Sequence, residues 1–137
     1  MLKFKSEKTT HVFTWDKDGP EECWFECNEI SPRDYARLTD KNTIYEWDAP
    51  PGLSKKARKM AMTRYSKMNS EGFMDDKVDF VIKDWDMRGD DESKVPCTRE
   101  NKILLDKERP DITNWIYEQL DALVEADEEI TEEDEGK

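Results

Sequence analysis

Histidine occurs once in this chain of 137 residues, as His11, and no nucleophile stands near it in a recognisable motif. A lone histidine in a predicted strand is usually structural, although pairing with Cys23 or Cys27 across a hairpin is geometrically open, and nucleophilic or acid–base catalysis has little else to draw on. Glycine is scarce too, and the five present form no phosphate-cradling loop. No apolar run approaches the ~20 residues that span a bilayer. The first residues, MLKFKSEKTT, lack the apolar core of a signal peptide. These absences predict a non-enzymatic protein of the cytoplasm, with no cofactor and no membrane contact.

Three cysteines, an odd number, cannot close a disulfide framework, so Cys23, Cys27 and Cys97 are expected as reduced thiols. The spacing of Cys23 and Cys27 suits zinc only if Cys97 and His11 converge on them, whereas strand alternation puts the pair on one face as small apolar side chains. Asp84, Asp86 and Gly89 fall at the first, third and sixth places of a calcium loop. Arg88 at the fifth and Val95 in place of the final acid break that pattern. No metal is expected.

Charge is abundant but lopsided: 41% of residues are charged, the net charge is -12, and residues 125–137 hold eight acids and one lysine. A phosphate-binding protein needs a basic face, so the balance argues against nucleic acid and for protein partners. The acidic end has one isoleucine and cannot offset its ordering entropy by burial, which predicts a disordered tail over 127–137. Residues 1–126 are then one domain's worth of chain.

Thr10–Trp15 and Cys23–Cys27 are aromatic and β-branched runs separated by Asp16-Lys17-Asp18-Gly19-Pro20, a strong turn signal. They predict a hairpin, to which Leu2–Lys5 could add a third strand. Ser31-Pro32-Arg33-Asp34 supplies a cap, a first-turn proline and an acid for a short helix. Residues 43–52, ending in Pro50-Pro51-Gly52, read as a linker or packed loop. Tyr45 and Trp47 there either pack over the core edge or anchor a partner. From Ser54 to about residue 70, Ala57, Met60, Ala61, Arg64, Tyr65 and Met68 fit helical spacing. Met60 and Met68, with Met62 and Met74, could fill a core or form an adjustable docking surface. Gly72 suggests a break, and Asp75-Asp76 a further helix through Val78, Val81, Ile82 and Trp85, although 78–82 could equally be a strand by composition.

Phe80–Val124 is the most strongly patterned stretch. Ile112, Trp115, Ile116, Leu120, Leu123 and Val124 make one apolar helical stripe, started by Pro110-Asp111. Thr98 caps a shorter helix holding Ile103, Leu104 and Leu105. Together with Val81, Asp84, Trp85, Gly89, Val95, Pro96, Glu100 and Asn101, this order resembles small tail assembly chaperones of long-tailed bacteriophages. The resemblance implies a non-enzymatic protein of the host cytoplasm that binds the tape-measure protein and helps recruit tail-tube subunits. The alternative from a different class is a structural tail or connector component retained in the virion. Assembly into a homo-oligomer stays open.

The fold expected is α+β: an N-terminal hairpin or small antiparallel sheet, then a mainly helical body of four to five helices and the acidic tail. The residues expected to bind a partner are Tyr45, Trp47, Met60, Met68 and Trp115.

Overall fold

A computed structural model describes residues 10–135, the side chains of 127–135 excepted. The fold is α+β. The strands are β1 (Thr10–Trp15), β2 (Cys23–Asn28), β3 (Thr43–Asp48), β4 (Thr63–Met68) and β5 (Ile82–Trp85). The helices are α1 (Pro32–Lys41), α2 (Lys55–Met60), α3 (Ser70–Val81), α4 (Arg99–Glu108) and α5 (Pro110–Glu135). The strand considered for Leu2–Lys5 lies outside the described residues, as do the side chains of the expected tail. The contacts sort the chain into two compact units, one of residues up to Glu29 with those from Val78 onward, and one of residues Ile30–Lys77.

The first unit is built on a three-stranded antiparallel sheet ordered β1-β2-β5. Alternation along β2 turns Cys23, Phe25 and Cys27 inward, where all three are buried. Register sets His11, Phe13 and Trp15 opposite Cys27, Phe25 and Cys23, so they share that face. The stripe on α5 covers it: Ile112, Ile116 and Leu120 are buried, and Trp115 meets Trp15 edge-on at 5.3 Å and Phe13 at 6.3 Å. Trp115 is thus a half-buried packing residue.

Residues 78–85 resolve the helix-or-strand ambiguity by being both. Val78 and Val81 close α3, and Ile82 opens β5, with all three buried beside Phe25 and Trp85 in the core. A lysine and an asparagine satisfy the end of α3: Asn28 Nδ2 donates to the Phe80 carbonyl at 2.9 Å, and buried Lys102 donates to the Asp79 carbonyl at 3.1 Å. A cation at a helix C-terminus also complements the helix dipole. The Thr98 cap on α4 forms as expected, its hydroxyl accepting from Asn101 N, and Trp85 Nε1 donates to Val95 O at 2.7 Å to hold the intervening loop.

The second unit corrects two expectations. Residues 43–48 are not a loop but β3, and 54–70 is not one helix: α2 ends at Met60, and Thr63–Met68 forms β4. Thr43, Tyr45, Trp47, Thr63 and Tyr65 favour extended backbone, and cross-strand pairing with β3 overrides the helical spacing of 57–68. Gly72 does not break the chain either. It lies in the first turn of α3, where its N–H donates to the Asn69 side chain at 3.2 Å.

Candidate functional site

The β3–β4 ribbon is the most exposed ordered part of the second unit. Every residue of β4 is exposed, as is every residue of β3 after Thr43. Register pairs Tyr45 with Ser66 and Trp47 with Arg64, while Met68 faces Thr43, so one face carries Tyr45, Trp47, Arg64 and Met68. The opposite face carries Ile44, Tyr65 and Lys67 with Glu46 and Asp48. Trp47 is 62% exposed, which makes it a surface residue rather than a core residue.

The ribbon's base is fixed from within the same unit. Asn42 ends α1 and is only 6% exposed; its Nδ2 donates to Leu38 O at 2.8 Å and to Asp76 Oδ2 on α3 at 3.0 Å. Lys41 adds an ion pair to the same carboxylate at 3.3 Å. Asn69 N donates to Asn42 O at 2.7 Å, joining the two ends of the ribbon. Tyr35 of α1 and Phe73 of α3 pack edge-on at 5.5 Å beside this base. Above it, Ser54 caps α2, and Arg58 from that helix donates to Asp48 Oδ1 at 3.2 Å. The Arg64 guanidinium lies 3.9 Å from the Tyr45 ring centre, a cation–π contact worth about 0.5–1 kcal/mol at an exposed site.

Of the five residues expected to bind a partner, the structure therefore gathers Tyr45, Trp47 and Met68 on one ribbon face. Met60, 82% exposed at the end of α2, belongs to the same unit. Trp115 is in the other unit and already has aromatic neighbours in Trp15 and Phe13. Sequence reasoning passed over Ile44, Arg64, Tyr65 and Lys67. Their signal was a basic stretch without acids, because residues 55–68 contain six cations and no carboxylate.

The candidates for chemistry are engaged otherwise. His11 Nε2 lies 2.6 Å from Glu29 Oε1, and burial pushes the Cys27 thiol up to about 12, away from the thiolate a nucleophile needs. Burial likewise pushes Cys23 up to about 12. Asp84 accepts from Lys94 at 3.0 Å and Asp86 from Trp24 N at 2.8 Å, so both acids of the calcium-like loop have protein partners. Among the described residues no group of three or more His, Cys, Asp or Glu side chains is arranged to hold a metal ion.

The first unit also contains a cavity of about 430 Å³ lined by Trp15, Phe25, Trp85, Leu105 and Ile112 among others. Of the polar groups around it, Trp15 Nε1 is buried without a hydrogen-bond partner among the described residues, whereas others are engaged within the protein. Arg109, for example, forks onto Glu21 at 2.6 Å and Asp111 at 3.0 Å. No helix among the described residues is long and apolar enough to cross a membrane. Comparison with protein-family models, with curated proteins and with solved structures finds no match to this chain.

Proposed function

We propose that this protein is a non-enzymatic assembly chaperone of the phage-tail kind, acting in the host cytoplasm. It holds the tape-measure protein and helps bring tail-tube subunits to it. The observation that carries the reading is the β3–β4 ribbon, which presents Tyr45, Trp47 and Met68 to solvent on a fixed base. Two-stranded ribbons are marginally stable alone, because they bury too little apolar surface. Large apolar side chains gathered on one are commonly a place where another chain docks. Flexible methionines suit a partner that is held before it reaches its final structure.

The reading is tested by co-expressing the chain with a tape-measure protein from the same genome. A soluble complex is expected on size exclusion, reduced at least tenfold in yield by Tyr45→Ser with Trp47→Ser, and purified virions should lack the chain by mass spectrometry. Stoichiometric chain in the virion would instead make it a retained tail or connector component. A complex indifferent to both substitutions would remove the ribbon from the reading.

A further inference from the structure

Resting on the reading of the ribbon as a docking surface, we propose that the outer edge of β4 takes an acidic, apolar-bearing strand of the partner protein. That strand adds to the ribbon as a third member. Among the described residues β4 pairs with β3 alone, so alternate N–H and C=O groups along its other side have no ladder partner there. Open edges of this sort template strand addition: backbone hydrogen bonds supply affinity, and side chains on the two faces supply selectivity.

Charge selects which edge and which strand. The chain as a whole is strongly acidic, at -12, yet residues 30–77 hold ten cations against seven acids, a net +3. The excess comes from Lys55, Lys56, Arg58, Lys59, Arg64 and Lys67, which lie on α2 and β4. Of these six, only Arg58 forms an ion pair among the described residues, with Asp48. β3 carries Glu46 and Asp48, so an acidic strand is repelled from that edge and attracted to the edge bearing Arg64 and Lys67.

The order of side chains on β4 goes further. Arg64-Tyr65-Ser66-Lys67-Met68 places one cation and one large apolar group on each face, the cations three residues apart. An antiparallel strand that answers each residue directly reads apolar, acid, any residue, apolar, acid. Phosphates and bases fit less well. One face of the Tyr45 ring is already taken by Arg64, and the exposed Ile44, Leu53, Met60 and Met62 suit aliphatic side chains.

The probe is a fluorescent peptide, Gly-Ser-Thr-Leu-Glu-Thr-Leu-Glu-Thr-Ser-Gly, titrated against the full chain beside a lysine-for-glutamate version and a twenty-nucleotide oligothymidylate. Binding of the glutamate peptide should weaken at least tenfold with Arg64→Glu and Lys67→Glu together, and at least threefold with Lys67→Glu alone, which spares the Tyr45 contact. The lysine peptide should bind the doubly reversed chain better than the native one, a rescue that mere damage to the ribbon could not produce. Circular dichroism checks that each variant is folded.

A charge reversal that leaves affinity within twofold, or a reversed chain that is not rescued, overturns the proposal. Tighter binding of oligothymidylate would assign the surface to single-stranded nucleic acid. Salt-sensitive self-association that excludes the peptide would assign it to a second copy of the chain. Failure of the peptide experiment while the co-expressed complex still depends on Tyr45 and Trp47 would reject the edge strand alone, whereas loss of both dependences rejects the docking reading itself.

Discussion

Asn42 and Asp76 meet through a buried 3.0 Å hydrogen bond that ties the end of α1 to α3 at the foot of the exposed ribbon. Removing the Asn42 side chain deletes this hydrogen bond and the one to Leu38 O, while Lys41 still pairs with Asp76, and the loss of such buried hydrogen bonds costs about 1–3 kcal/mol. Asn42→Ala should lower stability by that amount in urea melts, and hydrogen exchange should quicken first at the ribbon amides. Uniform exchange throughout the chain would show that Asn42 does not fix the ribbon.

Gly72 offers a sharper check, because the sign of its effect is unusual. Alanine in place of a helical glycine is ordinarily favourable by about 0.5–1 kcal/mol. At Gly72, however, an added Cβ would stand 2.5 Å from Asn42 Oδ1 and 2.6 Å from Asn69 Nδ2, inside contact distance of both groups that organise the ribbon base. Gly72→Ala should therefore destabilise, by about 1–3 kcal/mol as overpacking does. A stabilised variant in the same melts would contradict the packing described here.

Two tryptophans should separate cleanly. Trp115→Ala removes edge contacts with both Trp15 and Phe13 and should cost about 2–4 kcal/mol. Trp47→Ala, on an exposed ribbon face, should fall within about 0.5 kcal/mol of the native chain. Equal losses in guanidinium melts would place Trp47 in a core.

Arg109 holds the Glu21 and Asp111 carboxyls below the usual carboxylate range by hydrogen bonding to both. A depressed folded-state pKa contributes stability that is present above the unfolded value and disappears as pH falls through the folded value. The native chain should thus melt higher than Arg109→Gln at pH 7. The gap should close as pH drops below about 4 and should shrink in salt, since the cluster is exposed. A gap that persists at pH 2 would mean that Arg109 acts through packing.

The thiols are expected to react in order of access. Cys97 is only partly covered, while Cys23 and Cys27 are buried and pushed up to about 12. Iodoacetamide at pH 8 should label Cys97 first, with Cys23 and Cys27 modified only on unfolding, as peptide mass spectrometry would show. Early labelling of Cys27 would mean that the β2 face opens readily.

Much of the first unit was legible because its residues obey one strong local rule each. Pro110 starts α5, Thr98 caps α4, and Cys23, Phe25 and Cys27 alternate into a core; in the second unit the Ser31–Asp34 box marks α1 in the same local way. The ribbon was not legible as a ribbon, for a physical reason. With both faces in water, β3 and β4 show no alternation of apolar with polar residues, and Ala57, Met60, Arg64 and Met68 happen to match a helical period. What makes 63–68 a strand is its partner at 43–48, information that no single window contains. Tyr45, Trp47, Met60 and Met68 were nonetheless identified as candidates, since residue type alone marked them. Trp115 was legible as part of the apolar stripe on α5, but its partners Phe13 and Trp15 lie a hundred residues earlier in the chain and no local window shows them.

The strand order has a kinetic consequence. β2 and β5 are neighbours in one sheet, yet Asn28 and Ile82 are separated by the whole of the second unit. Closing a long loop is entropically unfavourable, and the cost grows with the logarithm of its free length. Residues 30–77 make their contacts mostly among themselves, so their early folding would shorten the slack that β5 must gather in before it finds β2. Mutations at the ribbon base should then slow refolding of the aromatic core of the first unit, with Trp115 fluorescence lagging behind in stopped-flow traces even though Trp115, Trp15 and Phe13 are unchanged.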